Sequence, residues 1–226
     1  MPTPLEERRF DAAIFDLDGT LLDTLSDIAD AANAALAERH LPVHDTECYR
    51  YFAGDGAETL ARRALPIECR DDSGLVKAVS NSYRHHYETN TMPKAKPFDG
   101  ILEMLASLDS SGIAFSIVSN KPAELAAKCV SQYFPGINFA TIISADAIIP
   151  IKPDPAGALK AISIMKTTSS RCIFVGDSDV DVKTALASKT FPVGVLWGFR
   201  GKGELISAGA ELTVRSPVEI CRLFSR

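Results

Sequence analysis

The sequence predicts an α/β protein with a Rossmann-like parallel sheet core and an inserted all-helical domain. Three observations predict it. From Gly100 onward, short apolar runs alternate with helical stretches, which is the pattern of parallel strands joined by crossover helices. Between Leu22 and Lys96 that alternation is absent and only helical spacing remains. The first apolar run, Ala12–Phe15, stops abruptly at an Asp/Gly cluster, as a buried strand ending in a turn does.

The elements follow in order. Ala12–Phe15 is the opening strand. Asp23–His40 has Leu25, Ile28, Ala32 and Leu36 at helical spacing, Asp23 and Thr24 as its cap, and Pro42 as its stop. From Thr46 to Glu88 the pairs Tyr49/Phe52 and Leu60/Ala64 and the series Leu75, Val79, Tyr83, Tyr87 keep helical spacing. Helices at Gly100–Leu108, Pro122–Gln132, Pro155–Met165 and Val180–Ala187 then alternate with strands at Ile113–Val118, Phe139–Ile143, Cys172–Val175 and Pro192–Leu196. Right-handed crossovers are the default for such units. The organisation expected is a core of residues 1–21 and 97–226 and an insert of residues 22–96, with linkers near Leu21 and Pro93–Pro97.

Composition narrows the class. With 226 residues, 46% apolar and 23% charged, the chain is long enough to build its own core and too balanced to be disordered or fibrous. The formal charge of −5 argues against a nucleic-acid partner, which calls for a basic face. No apolar run reaches the roughly 18 residues that span a bilayer, so no membrane partner is expected. The five cysteines are scattered, form no CxxC and suit reduced thiols in a cytoplasmic setting. Met1–Arg9 is charged, and no apolar segment follows it as a secretory signal requires.

The chemistry sits at the tip of the first strand, in Phe15-Asp16-Leu17-Asp18-Gly19-Thr20. A D-x-D-G-T match arises by chance in on the order of one chain of this length in a thousand. Side chains two apart on a strand share a side, so Asp16 and Asp18 enter one pocket while Leu17 turns away. Ligands of open α/β sheets bind beyond the carboxyl ends of the strands. Two carboxylates there repel, and the site needs a cation, a proton or both. Taken singly, the pair also suits an Asp-Gly turn.

Three further runs follow: Ser119-Asn120-Lys121 after a strand, Lys152-Pro153-Asp154-Pro155 before a helix, and Gly176-Asp177-Ser178-Asp179-Val180-Asp181 at the end of the Cys172–Val175 strand. Together with the first run they resemble the four motifs of the haloacid dehalogenase-like superfamily. The helical insert lies where that family places its C1 cap. The resemblance covers essentially the whole chain and implies a phosphotransferase. It implies Asp16 as the nucleophile that forms an aspartyl-phosphate and Asp18 as the general acid/base. Mg²⁺ would be held by Asp16, the backbone carbonyl of Asp18 and Asp177, with Asp181 ligating directly or through water. Ser119 and Lys152 would bind phosphoryl oxygens, Lys152 would offset charge gathering near Asp16, and Asn120 would orient these groups.

Each of these residues also has a plainer reading. Asp177 and Asp181 suit a helix N-terminus, Ser119 suits an N-cap ahead of Pro122, and Lys152 alone is a loop lysine. His40, His44, His85 and His86 show no metal-ligand spacing, and His85 and His86 read as surface residues. Trp197 and Phe199 read as core or rim.

The insert's Ala53-Gly54-Asp55-Gly56-Ala57 turn, followed by Leu60-Ala61-Arg62-Arg63-Ala64-Leu65, resembles the cap segment of phosphoglycolate phosphatases. The Trp197-Gly198-Phe199-Arg200 run resembles the tail of the same group. Asp55 stands where that group often has Asn. Arg63 is either a bidentate ligand for a substrate carboxylate or a surface arginine. The reading is an Mg²⁺-dependent phosphatase of a small phosphorylated acid, 2-phosphoglycolate first, working as a monomer or homodimer. Alternatives are a pyrophosphatase, a sugar-phosphate phosphatase or a phosphomutase of the same class, and a non-catalytic binding protein on this fold. A haloacid dehalogenase fits poorly, because halide displacement needs neither Asp18 nor a metal.

Overall fold

A computed structural model describes residues 8–89, 93–144 and 148–224. Residues 1–7, on which most of the reading of the N-terminus falls, lie outside the described residues. In chain order the elements are β1 (Ala12–Phe15), β2 (Leu22–Asp23), α1 (Leu25–Ala37), α2 (Tyr49–Phe52), α3 (Ala57–Ala64), α4 (Ser73–Thr89), β3 (Lys96–Pro97), α5 (Ile101–Ser110), β4 (Ala114–Ser119), α6 (Ala123–Tyr133), β5 (Ile142–Ser144), α7 (Ala156–Ile164), β6 (Cys172–Gly176), α8 (Asp179–Ser188), β7 (Phe191–Val195), α9 (Lys202–Ala208), β8 (Leu212–Val214) and α10 (Pro217–Cys221). They group into two compact units, Met1–Leu21 with Pro97–Arg226, and Leu22–Lys96.

The first unit is a six-stranded sheet in the order β5-β4-β1-β6-β7-β8 with every pairing parallel. Its α/β class is the one the alternation predicts. β1 lies at the centre, with Phe15 opposite Ile117 on one side and Val175 on the other. From β1 the chain builds outward through β4 and β5, then returns to β6 and builds the other way. The reversal leaves a crevice at the carboxyl ends of β1 and β6, where open α/β sheets bind ligands. Both faces of the central strands are buried, so they read as continuous apolar runs rather than alternating ones. Ile14, Val118 and Phe174 on one face form a core with Ala158, Ala161 and Ile162 of α7. Truncating Phe174 to Ala would cost about 3–5 kcal/mol.

The second unit is helical. α4 packs against α1 and α3, and Leu36, Ala61, Leu65, Val76 and Val79 form its core. Among the described residues, no helix is long and apolar enough to cross a membrane.

Several local readings need correction. α1 ends at Ala37, not His40: His40 takes a left-handed conformation (φ 54°) and Leu41 N–H returns to Leu36 O, a C-terminal motif that closes the helix. Thr24 makes no side-chain cap bond to that helix; Asp23 Oδ1 accepts the Leu25 N–H instead, at 3.4 Å. Ser119 does not cap α6, because Pro122 occupies the cap position and Ser119 Oγ accepts the Lys121 N–H. The strand expected from Phe139 begins at Ile142, since Phe139 turns its ring onto Phe115 and Phe134 (centroids 5.3 and 5.8 Å).

Candidate active site

Asp16 is the first residue past β1, and its N–H donates to Val175 O on β6 (3.0 Å), extending the ladder by one bond. The chain then turns tightly, with Leu21 N–H returning to Leu17 O. Gly19 makes the turn possible. Its φ is +84°, and a Cβ there would sit 2.4 Å from Asp177 Oδ2. The turn delivers Asp16, Asp18 and Thr20 to the end of β6, where Thr20 Oγ1 donates to Asp177 Oδ1 (3.2 Å).

Lys152 arrives from the loop before α7. Asn120 brackets its backbone, accepting Lys152 N–H at 2.7 Å and donating to Lys152 O at 3.2 Å. Asn120 therefore holds the backbone of Lys152 at two points. The Lys152 ammonium reaches Asp16 Oδ1 (2.8 Å) and Asp181 Oδ1 (2.7 Å). Asp181 Oδ2 accepts both the N–H and the hydroxyl of Ser178 (3.1 and 2.6 Å), a capping box at the start of α8. Both oxygens of Asp181 are thus in use, and capping and the lysine contact are made together.

Oxygens of Asp16, Asp177 and Asp181 lie within 4.8 Å of one another. Burial, together with the Asp181 and Asp18 charges, pushes the Asp16 carboxyl up to about 7 against the pull of Lys152. Burial, then Asp181 and Asp16, push Asp177 up to about 8. Burial works to lower Lys152, but Asp16 and Asp181 hold it above the ordinary lysine range. Four carboxylates (Asp16, Asp18, Asp177, Asp181) face the ammonium groups of Lys121 and Lys152. Formally that leaves the charge one divalent cation neutralises. The donors are all oxygen, so a hard cation fits, and such a charge would reverse both upward shifts.

Two features lie outside the sequence reading. Lys121, quoted there without a role, has a buried ammonium 2.9 and 3.1 Å from the two oxygens of Asp18. Phe199 is buried and Trp197 half-buried, as core and rim residues are, and the segment also reaches the site: Phe199 N–H donates to Asp177 Oδ2 (2.7 Å), and the Trp197 indole N–H donates to Thr20 O (2.9 Å). Gly198 permits this approach, for a Cβ there would meet Asp177 Cβ and Gly19 O, both at 2.3 Å. The Trp-Gly-Phe run itself was the available signal.

Ser119 closes β4 beside Ser144, on the Asn120 loop. Arg63 belongs to the helical unit. Its guanidinium pairs with Asp55 (2.6 Å) and donates to Tyr51 O and Phe52 O (3.3 Å each). The residue that departs from the family pattern is therefore the one that engages Arg63.

Comparison with known proteins sets this arrangement in context. The family model for haloacid dehalogenase-like hydrolases matches residues 13–195. A phosphoglycolate phosphatase of Xanthomonas campestris pv. campestris is 31% identical over 210 residues, covering 92% of this chain and 94% of that protein. An N-acetylmuramic acid 6-phosphate phosphatase of Pseudomonas aeruginosa is 27% identical over 223 residues, 98% of each chain. A crystal structure from Lactobacillus delbrueckii subsp. bulgaricus, provisionally named a phosphoglycolate phosphatase, superposes with a TM-score of 0.87 at 28% identity, over 96% of this chain and 98% of that one.

Proposed function

The chain belongs to the haloacid dehalogenase-like hydrolase family and is a phosphoric monoester hydrolase, and from that premise we propose that it cleaves a small phosphorylated acid through an aspartyl-phosphate on Asp16. The observation that carries this reading is Lys152 lying between Asp16 and Asp181 beside Asp177, at the end of β1 and β6.

Asp16 Oδ attacks phosphorus, and the bond from phosphorus to the ester oxygen breaks with its electron pair going to that oxygen. Asp18 gives the oxygen its proton, so the leaving group departs as an alcohol. In the second half, the Asp18 carboxylate takes a proton from water as the water oxygen attacks phosphorus. The bond to Asp16 breaks, inorganic phosphate leaves, and both carboxyl groups regain their starting state. The Ser119 hydroxyl, whose oxygen already accepts from Lys121 N–H, has its hydrogen to give to a phosphoryl oxygen. Lys152 meets the charge that develops on the phosphoryl group.

The oxygen donor set fits Mg²⁺. Asp16, the Asp18 carbonyl and Asp177 would hold it, and it would supply Lewis-acid stabilisation of phosphoryl charge. Asp181 would complete the set, directly or through water, while it also fixes Lys152. The 22–96 unit is assigned the part of cap, selecting the leaving group and excluding water. Arg63 joins the substrate ligands only by exchanging Asp55 for a substrate carboxylate.

The names of two relatives support the acid-substrate reading, since phosphoglycolate and N-acetylmuramic acid 6-phosphate are both phosphomonoesters of acids. A panel of phosphomonoesters and pyrophosphate, ranked by kcat/KM with Mg²⁺ present, tests it. 2-Phosphoglycolate should lead, with phosphorylated sugar acids next. A panel led by pyrophosphate or a neutral sugar phosphate would overturn the acid-substrate reading.

A further inference from the structure

Lys121 sits where a purely structural lysine is poorly explained. Its side chain is 3% exposed and that of Asp18 is 20% exposed, so a buried ammonium meets a carboxyl side chain that keeps some access to solvent. The contact joins residues 103 apart in the chain and uses both Asp18 oxygens, at 2.9 and 3.1 Å. A buried ion pair of this kind adds little net stability, because desolvation offsets the attraction. The same residue's N–H donates to Ser119 Oγ (3.2 Å), so one turn ties the phosphoryl-binding hydroxyl to the proton-transfer group. Lys152 cannot substitute, being committed to Asp16 and Asp181.

We propose that Lys121 is the positioning residue for Asp18: its ammonium fixes the aim of that carboxyl, so that one group can give a proton to the departing oxygen and then take one from water. The ammonium keeps all three of its protons throughout. It moves from two Asp18 oxygens to one when the other takes the proton, and an ammonium with three rotatable donors accommodates this. The inference rests on the aspartyl-phosphate reading above.

Rapid-quench kinetics with two substrates provide the test. Para-nitrophenyl phosphate releases its leaving group as the anion and needs no acid in the first half-reaction; 2-phosphoglycolate needs one. Lys121→Met should lower single-turnover cleavage of 2-phosphoglycolate by about 100-fold. With para-nitrophenyl phosphate its first turnover should stay near the wild-type rate. Steady-state turnover should fall, because water activation also uses Asp18, and a burst of one nitrophenolate per site should appear. Lys121→Arg should recover part of the loss on 2-phosphoglycolate and show the same split between substrates; it carries the test if the Met variant does not melt as a folded protein. Equal losses in the first turnover of both substrates, or no loss on either, would overturn the positioning role. Asp16→Asn run alongside separates the two ideas, since turnover in that variant would sink the aspartyl-phosphate reading whatever Lys121 does.

Discussion

The Lys152 ammonium lies 2.8 Å from Asp16 Oδ1 and 2.7 Å from Asp181 Oδ1, so one buried cation serves the nucleophile and the first turn of α8 together. Removing it leaves two buried carboxylates without their partner. Lys152→Met should cost about 3–5 kcal/mol of stability, read from urea unfolding. It should also lower kcat by about 100- to 1000-fold, the scale of losing one donor to transition-state charge. Asp181→Asn should be milder in both, because Lys152 keeps Asp16. A Lys152→Met variant with wild-type kcat would remove the lysine from the reaction.

Asp16→Asn should abolish turnover while the fold persists. Without added metal its melting temperature should match or exceed that of the wild type. Burial and the neighbouring carboxylates hold the Asp16 carboxyl near 7, so its charge is a burden to the metal-free fold that the amide does not carry. A marked loss of melting temperature would show that Asp16 is structural.

Chelation with EDTA should stop activity and Mg²⁺ should restore it. Asp177 is aimed by the Thr20 hydroxyl on one oxygen and the Phe199 N–H on the other. Such outer contacts are worth about 10- to 100-fold in metal affinity. Thr20→Val should therefore raise the Mg²⁺ concentration for half-maximal activity by about tenfold, with most of kcat recovered at saturating Mg²⁺. Chelator-resistant turnover would sink the metal assignment.

What was legible in the sequence follows from range. The alternation of strand side chains predicts Asp16 and Asp18 in one pocket, a rule two residues long, but β1 stops at Phe15 and it is the turn at Gly19 that places the two carboxylates. The central strands were legible because burial on both faces makes them unbroken apolar runs. β8 is three residues long, too short to show a period, although the Ser216/Glu219 capping box marking α10 is plain afterwards. The Lys121–Asp18 and Trp197–Thr20 contacts join residues 103 and 177 apart, and no local spacing rule reaches that far. The pairing of Arg63 with Asp55 depends on how the Gly54–Gly56 turn folds back on α3, which spacing alone does not specify.

Asp27 lies on α1 in the helical unit. Its side chain is buried, Oδ1 accepts the Lys94 N–H at 3.3 Å, and Oδ2 has no hydrogen-bond partner among the described residues. Burial holds its carboxyl above the ordinary range against the pull of the Lys94 and Ala95 N–H groups and the Lys94 charge, and Asp30 adds repulsion. Lys94's own ammonium is taken by Asp30 at 2.6 Å. An acid whose pKa is higher folded than unfolded binds more protons in the fold. Its ionisation therefore removes stability as pH rises from the unfolded value through the folded one. Asp27→Asn keeps the Oδ1 acceptor and removes the charge, at a pH-independent cost for the buried NH₂ of about 1–3 kcal/mol. The readout is the slope: the melting temperature of the variant relative to wild type should climb as pH rises from about 4 and level off once the folded carboxyl has ionised. A difference that stays constant across that range would mean the Asp27 carboxyl ionises as readily in the fold as in the unfolded chain.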